Sequence, residues 1–330
     1  MKVSVIVVTY NEEKNIKYCL DSLLNQNLPK ENYEILVVDG GSKDATQAIV
    51  KDVIKNHKTV HVHSKEKGSI TECRNIGIKN AQYEYVAFTD ADCIVPNNWL
   101  KKLQEAYVRH DDVINLAGVG GANIPPENGN VFQKAIGIVF NSWLGSLGSI
   151  QAMPMKEDKQ LFSISCSNSF YKKQALVDVG MFSEELDNQG EDWDLGAKLQ
   201  QKKYIVYGVH DSFVWHHLRS DAKSFWKNMV FYGDGRMRLT KKHPTIIKLK
   251  YYLPLLFIPV FSLSFVFFLI FHFSILLIPF IYFPLVILYS IIISRKQPSL
   301  IFLVLVVFLL QHFGYSYGEL KGLKWFLKFP

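Results

Sequence analysis

Asp90 and Asp92 flank Ala91 at the end of an apolar run, residues 85–88 (YVAF). Two carboxylates that close repel each other unless a cation or water solvates them. Mg2+ or Mn2+ takes oxygen ligands of this kind, and the small Ala91 leaves the chain room to turn both acids toward one ion. Taken alone, Asp-x-Asp also arises in solvated turns, so its company has to decide. A second acid cluster stands at 190–195 (GEDWDL), where Glu191 and Asp192 precede Leu195 and Leu199 at helical spacing. The helix macrodipole by itself accommodates acids in a first turn. A third feature is the Lys65-Glu66-Lys67-Gly68 turn, followed by a helix carrying Arg74. Lysines at a glycine turn, a helix N-terminus and a bidentate guanidinium suit a diphosphate, though a solvated basic loop reads the same way.

The elements that must hold these groups alternate. Residues 3–9 (VSVIVVT) form a β-branched run that ends in Thr9, Tyr10, Asn11 and Glu12. A helix with Ile16, Cys19, Leu20 and Leu23 on one face follows. Residues 35–38 make a second buried strand that ends in Asp39 and a glycine turn; a second helix and a short strand at 60–63 come next. Strands alternating with helices call for an α/β fold with a doubly wound sheet, whose ligands bind beyond the carboxyl ends of the strands. The polar clusters at 9–12, 39–44 and 90–92 lie at those ends. Further on, the pattern predicts a helix at 100–109, a glycine-rich strand or turn at 118–121 and a helix-like stretch at 131–147. It also predicts a half-buried strand at 163–171, two strands at 204–209 and 212–215, and then His216-His217.

At 330 residues the chain holds one ordinary domain and something more. Its net charge of +7 does not point to nucleic acid, because Arg236, Arg238, Lys241, Lys242, Lys248 and Lys250 sit immediately before an apolar region. From 251 to 294 there is no Lys, Arg, Asp or Glu. Segments 251–271, 275–293 and 300–317 each approach the ~20 residues that span a bilayer. Basic residues before the first segment, and Arg295-Lys296 between the second and third, place those ends in the cytosol. The expectation is a multi-pass protein of the cell membrane with its catalytic domain cytosolic. Lys321, Lys324 and Lys328 fit three crossings poorly; either the tail lies in the interface or one segment is re-entrant, broken at Pro259, Pro279 or Pro284. Cys19, Cys73, Cys93 and Cys166 show no metal-binding spacing and read as reduced thiols. The first residues follow a strand pattern, not that of a signal peptide.

In order, VSVIVVTYNEEKNI, VVDGGSKDAT, CRNIGI, FTDADCIVPNNW, CSNSFYKK with VGMF, and GEDWDL resemble the family 2 glycosyltransferases of GT-A fold, over residues 1 to about 240. The resemblance implies a GT-A mixed sheet flanked by helices in a cytosolic domain, 1–240, followed by a membrane domain of transmembrane helices, 241–330. It implies that Thr9, Tyr10, Asn11, Glu12, Asp39, Gly68, Arg74 and Asp90 serve a nucleotide-sugar donor, with Asp39 at the base. Asp90 and Asp92 would meet the ribose and the metal on the diphosphate, Asp192 would be the general base, and Glu191 would sit beside the acceptor. The chemistry agrees: a metal stabilises the leaving diphosphate, and a carboxylate raised in pKa by Glu191 and partial burial accepts a proton. His216 and His217 offer a third metal ligand or a diphosphate contact, with a structural role equally open. Cys73 stands where alanine is usual in the family, and no Gln-x-x-Arg-Trp follows the second acid cluster, which argues against processive polysaccharide synthesis. The implied activity is inverting transfer to a membrane-associated acceptor, a polyprenyl or dolichyl phosphate or a lipid-linked glycan, in polysaccharide or glycoconjugate biosynthesis. Two other readings compete: nucleotidyl transfer to a sugar phosphate, and a membrane scaffold or transport component with a non-catalytic nucleotide-binding domain.

Overall fold

A computed structural model describes residues 1–126, 129–146, 155–186, 188–244, 253–271 and 278–327. In chain order the first elements are β1 (Val3–Thr9), α1 (Ile16–Leu24), β2 (Tyr33–Asp39), α2 (Thr46–Asn56), β3 (Val60–Ser64), α3 (Ile70–Asn80) and β4 (Tyr85–Asp90). There follow β5 (Cys93–Ile94), α4 (Trp99–Arg109), β6 (Leu116–Ile124), α5 (Val131–Phe140), α6 (Trp143–Ser146), β7 (Lys159–Leu161) and β8 (Ser169–Lys172). The remainder comprises α7 (Lys173–Asp178), α8 (Glu191–Gln201), β9 (Ile205–His216), α9 (Ala222–Lys242), α10 (Leu253–Phe271), α11 (Ile278–Ile293), α12 (Ile301–Gly322) and α13 (Lys324–Leu327).

The chain divides into two compact units: residues 1–126 with 150–217, and residues 127–149 with 218–330. The first is built on a mixed sheet in the order β3-β2-β1-β4-β8-β6-β9-β5, with β7 added against β9. β1, β2, β3 and β4 run parallel, and β8 lies antiparallel between β4 and β6. Every residue of β1 and β2 is buried, as expected for parallel strands covered on both faces. Successive side chains alternate between faces. Val5, Val7, Ile35 and Val37 pack with Leu20, Leu23, Val50 and Trp99 of the helices on one side. Ile6, Leu36, Val86 and Phe88 pack with Ile78, Leu176, Leu195 and Leu199 on the other.

The glycines at 118–121 take the strand alternative and lie inside the buried strand β6. Two other expectations change. Only Ser169–Lys172 of the stretch 163–171 is strand, because Ser165 and Asn168 bond neighbouring backbone or side chains instead of a ladder partner. The two strands expected at 204–215 are one, β9, whose register shifts between Gly208 and Phe213. The polar pair there is held by partners and does not turn the chain: Asp158 accepts from the backbone N–H of His210, and Arg109 donates to Asp211.

In the second unit an apolar core joins α5, α9, α11 and α12 through Phe132, Ile136, Phe225, Val286, Val304 and Phe308. Among the described residues, one continuous helical stretch, Pro298–Leu327, is by length and composition sufficient to cross a membrane; Pro254–Ile270 and Ile281–Ile293 are apolar but shorter. Lys248, Lys250, His272 and Lys328 lie outside the described residues.

Candidate active site

The carboxyl ends of β2, β1 and β4 carry the first set of polar groups. Asp39, buried at the end of β2, accepts from the backbone N–H groups of Gly41 (3.1 Å) and Ser42 (3.0 Å) and from Gln47 Nε2 (2.7 Å). The loop after β1 is tied to the loop after β2. Asn11 N–H donates to Ser42 Oγ, Asn11 Oδ1 accepts from Lys43 N–H, and Glu12 N–H donates to Thr46 Oγ1, each at 2.8 Å. Tyr10 is exposed beside them, whereas Thr9 is buried and its Oγ1 has no partner among the described residues.

Gly68 N–H reaches the carbonyl of Gly40 at 3.2 Å, so the lysine turn is drawn against the Asp39 loop. One of its lysines and the helix N-terminus beside it are engaged internally. Lys65 pairs with Glu72, and the N-terminus of α3 is closed by a Ser69–Glu72 capping box.

At the end of β4 both oxygens of Asp90 are held: Oδ1 by Arg74 Nη2 at 3.0 Å and Oδ2 by Ser167 Oγ at 2.5 Å. The other arm of Arg74 donates through Nη1 to Glu191 Oε1 at 2.5 Å. The guanidinium is only 3% exposed and thus joins three segments, α3, β4 and the start of α8. Asp92 points elsewhere. The antiparallel pairing of β5 with β9 sets His216 opposite Cys93 and brings His216 Nε2 to 3.3 Å from Asp92 Oδ2. Ligand atoms of Asp92, Cys93 and His216 lie within 4.8 Å of one another. An oxygen and an imidazole donor side by side suit Mn2+ or a related divalent ion.

α8 is preceded by Gly190, whose φ of 70° lies in the left-handed region that glycine adopts without strain. That turn starts the helix with Glu191 and Asp192 together. Burial, then the charge of Glu191, pushes the Asp192 carboxyl up to about 7, with Arg74 opposing. A carboxyl poised there accepts a proton near neutrality. Asp194 has a different part: it is fully buried and accepts from Ser183 Oγ at 2.6 Å, which fastens the preceding loop.

All the expected site residues fall in the first unit. The structure joins Asp90, Arg74 and Glu191 in one network and Asp92 with His216 in another. Ser167 is a site residue that the pattern did not single out, although it lies inside the CSNSFYKK segment. Asn168 is another: it is fully buried, accepts from Trp99 Nε1 at 2.8 Å and donates to the Ala122 carbonyl at 3.0 Å.

Residues 4–180, more than half of the chain, match Glycosyl transferase family 2, so the chain belongs to that family and is a glycosyltransferase. Among its relatives is the dolichyl N-acetyl-alpha-D-glucosaminyl phosphate 3-beta-D-2,3-diacetamido-2,3-dideoxy-beta-D-glucuronosyltransferase of Methanococcus voltae, 28% identical over 97% of both chains. Glycosyltransferase AglE of Haloferax volcanii is 29% identical over 72% of this chain and 73% of its own. Among solved structures, the mannosyltransferase PcManGT from Pyrobaculum calidifontis, in complex with GDP-Man and Mn2+, has a TM-score of 0.64 at 17% identity. It covers 94% of this chain and 86% of its own. S. aureus TarS 1-349 gives 0.53 at 21% identity, over 98% and 92%. These two likenesses establish the shared GT-A type fold.

Proposed function

We propose that the protein is a membrane-anchored, metal-dependent, inverting glycosyltransferase that moves a sugar from a nucleotide-sugar donor to a lipid-linked acceptor. The observation that carries this reading is Arg74, which ties the acid at the end of β4 to the acid pair of α8 and so makes one cleft of a donor side and an acceptor side. On the donor side Asp39, with Thr9 to Glu12 around it, receives the base, while Gly68 and Asp90 border the ribose and diphosphate. Asp92 and His216 would hold the divalent ion, which when bound stabilises the charge on the departing nucleoside diphosphate. Asp90 fits that set less directly, since both of its oxygens are engaged by Arg74 and Ser167.

On the acceptor side Asp192 takes the proton of the attacking hydroxyl. A bond forms between that oxygen and the anomeric carbon as the bond to the diphosphate breaks; attack from the opposite face inverts the configuration. A base that titrates near neutrality suits a sugar hydroxyl rather than an already ionised lipid phosphate. The Methanococcus relative, whose name gives a dolichyl-phosphate-linked sugar as acceptor, supports the same choice. The charge-free stretch 251–294 and its basic flanks support a transferase domain, 1–240, held on the cytosolic face by a membrane domain, 241–330.

The test is heat stabilisation of the purified chain by a panel of nucleoside diphosphates with Mn2+, since a ligand specific for the folded state raises apparent stability. One base should stabilise the native chain far more than the others. Asp92→Ala or EDTA should abolish that gain together with sugar transfer. Full transfer in EDTA would reject the metal, and the absence of any nucleotide response would reject the donor site.

A further inference from the structure

We infer that Asn75 is a positioning residue: by holding Phe182 it fixes Arg74 and, through Arg74, the acid pair that opens α8. This goes beyond the assignment of Asp192 as base and rests on it. Asn75 stands beside Arg74 on α3 and is buried, so its amide has to find partners within the protein. They lie 107 and 109 residues further along the chain. Asn75 Oδ1 accepts from the Phe182 N–H at 2.9 Å, and Nδ2 donates to the Phe182 carbonyl at 3.0 Å. The side chain thus meets both backbone groups of one residue, as the opposite member of a hydrogen-bonded strand pair would, and sets its orientation as well as its place. Nδ2 donates also to Glu184 Oε1 at 3.0 Å.

The orientation of Phe182 decides what covers Arg74. The centre of its ring lies 5.5 Å from the guanidinium, and the ring packs edge-on against Phe88 of β4 at 5.7 Å. A guanidinium is attracted to the face of an aromatic ring. Phe182 is itself buried, so its ring keeps water from that side of the cation. Away from water, the bonds of Arg74 to Asp90 and Glu191 are stronger.

The contacts of α3, the loop and α8 close into a circuit. Ser183, next to Phe182, donates to Asp194 in the first turn of α8 at 2.6 Å. Glu191 of the same turn accepts from Arg74, the neighbour of Asn75. One turn further on, Lys198 donates to the Met181 carbonyl at 2.5 Å and to Ser183 Oγ at 3.3 Å. At the start of α3 the Ile70 N–H donates to Asn188 Oδ1 at 2.7 Å. The segment 182–191 is therefore bonded to α3 near both ends, and α8 is bonded back to its beginning.

A base depends on such a hold. The Asp192 carboxylate has to lie within hydrogen-bond reach of the acceptor proton, and a misplacement of about 1 Å can cost roughly 10²-fold in rate. Asn75 acts at one remove, through Phe182 and Arg74. Its loss should therefore slow turnover in molecules that remain folded and still bind nucleotide, which a loss of stability alone does not do.

The test uses the full chain, well below the Tm of each variant. Turnover and KM are followed with the nucleotide sugar of the base that stabilises the native chain most, together with affinity for the matching nucleoside diphosphate and Mn2+. Asn75→Ser, which removes both bonds to Phe182, should lower kcat by about tenfold or more, with KM for the nucleotide sugar and diphosphate affinity near their native values. Phe182→Leu keeps the backbone bonds and takes the ring from Arg74; it should lower kcat in the same way, and it carries the test alone where Asn75→Ser does not fold. Glu184→Ala removes only the exposed acceptor of Nδ2 and should keep the native kcat. A native kcat in Asn75→Ser or Phe182→Leu, with only the Tm lowered, would make these contacts structural and overturn the inference, as would an equal loss of kcat in Glu184→Ala. Native turnover in Asp192→Asn would instead remove the base on which the inference rests, and the inference with it.

Discussion

Asp39 and Asp90 each end a parallel strand, yet the molecule satisfies them by opposite means. The partners of Asp39 are the next turn and Gln47, all within eight residues. Those of Asp90 come from 16 residues before it, through Arg74, and 77 after it, through Ser167; Arg74 in turn reaches Glu191, 117 residues away. One acid is fixed by its own loop, and the other by the assembled fold. A carboxylate of the first kind builds a binding surface that forms with its strand. A carboxylate of the second kind reports whether the two halves of the cleft have come together.

Breaking the long-range side should have the larger effect. Arg74→Gln leaves Asp90 and Glu191 facing each other without a cation. Their partial exposure softens the penalty of two stranded carboxylates, so we expect a loss of about 2 kcal/mol in chemical denaturation, with transfer falling further than nucleotide affinity. Asp39→Asn gives the local comparison: its shape survives and most donors keep a partner, so stability should fall by about 1 kcal/mol or less, with the loss read mainly as weaker nucleotide binding. If the two variants were equally destabilised, the contrast between the acids would fail.

The smallest effect is the most specific. Asp192 must be ionised to take a proton, and its carboxyl is pushed up to about 7. The ascending limb of kcat/KM against pH should therefore lie near neutrality. Glu191→Gln removes the like charge that helps to raise Asp192, and the limb should move to lower pH. A limb that stayed in place would mean that Glu191 does not act on Asp192 electrostatically.

The same contrast explains what the sequence made legible. β1, β2 and β4 are short apolar runs ending in polar clusters, and period and composition suffice to read them. The loop at 163–168 was not readable in that way. Alternating small polar and apolar residues look like a strand, and only the assembled fold shows Ser167 on Asp90 and Asn168 on Trp99. β9 was misread for a related reason: His210 and Asp211 resemble a turn until Asp158 and Arg109 supply their partners. Arg74 was legible as a site residue but not as a bridge, since nothing local indicates that its guanidinium is engaged at both ends.

The measurement closest to the central claim follows turnover and nucleotide affinity together in Asp192→Asn. The amide keeps the shape of the side chain and cannot accept the proton. With a sugar-hydroxyl acceptor, turnover should fall by about 10²-fold or more, the usual contribution of a general base, while affinity for the nucleoside diphosphate stays as in the native chain. Near-native turnover in Asp192→Asn would contradict the assignment of Asp192 as base for a hydroxyl acceptor.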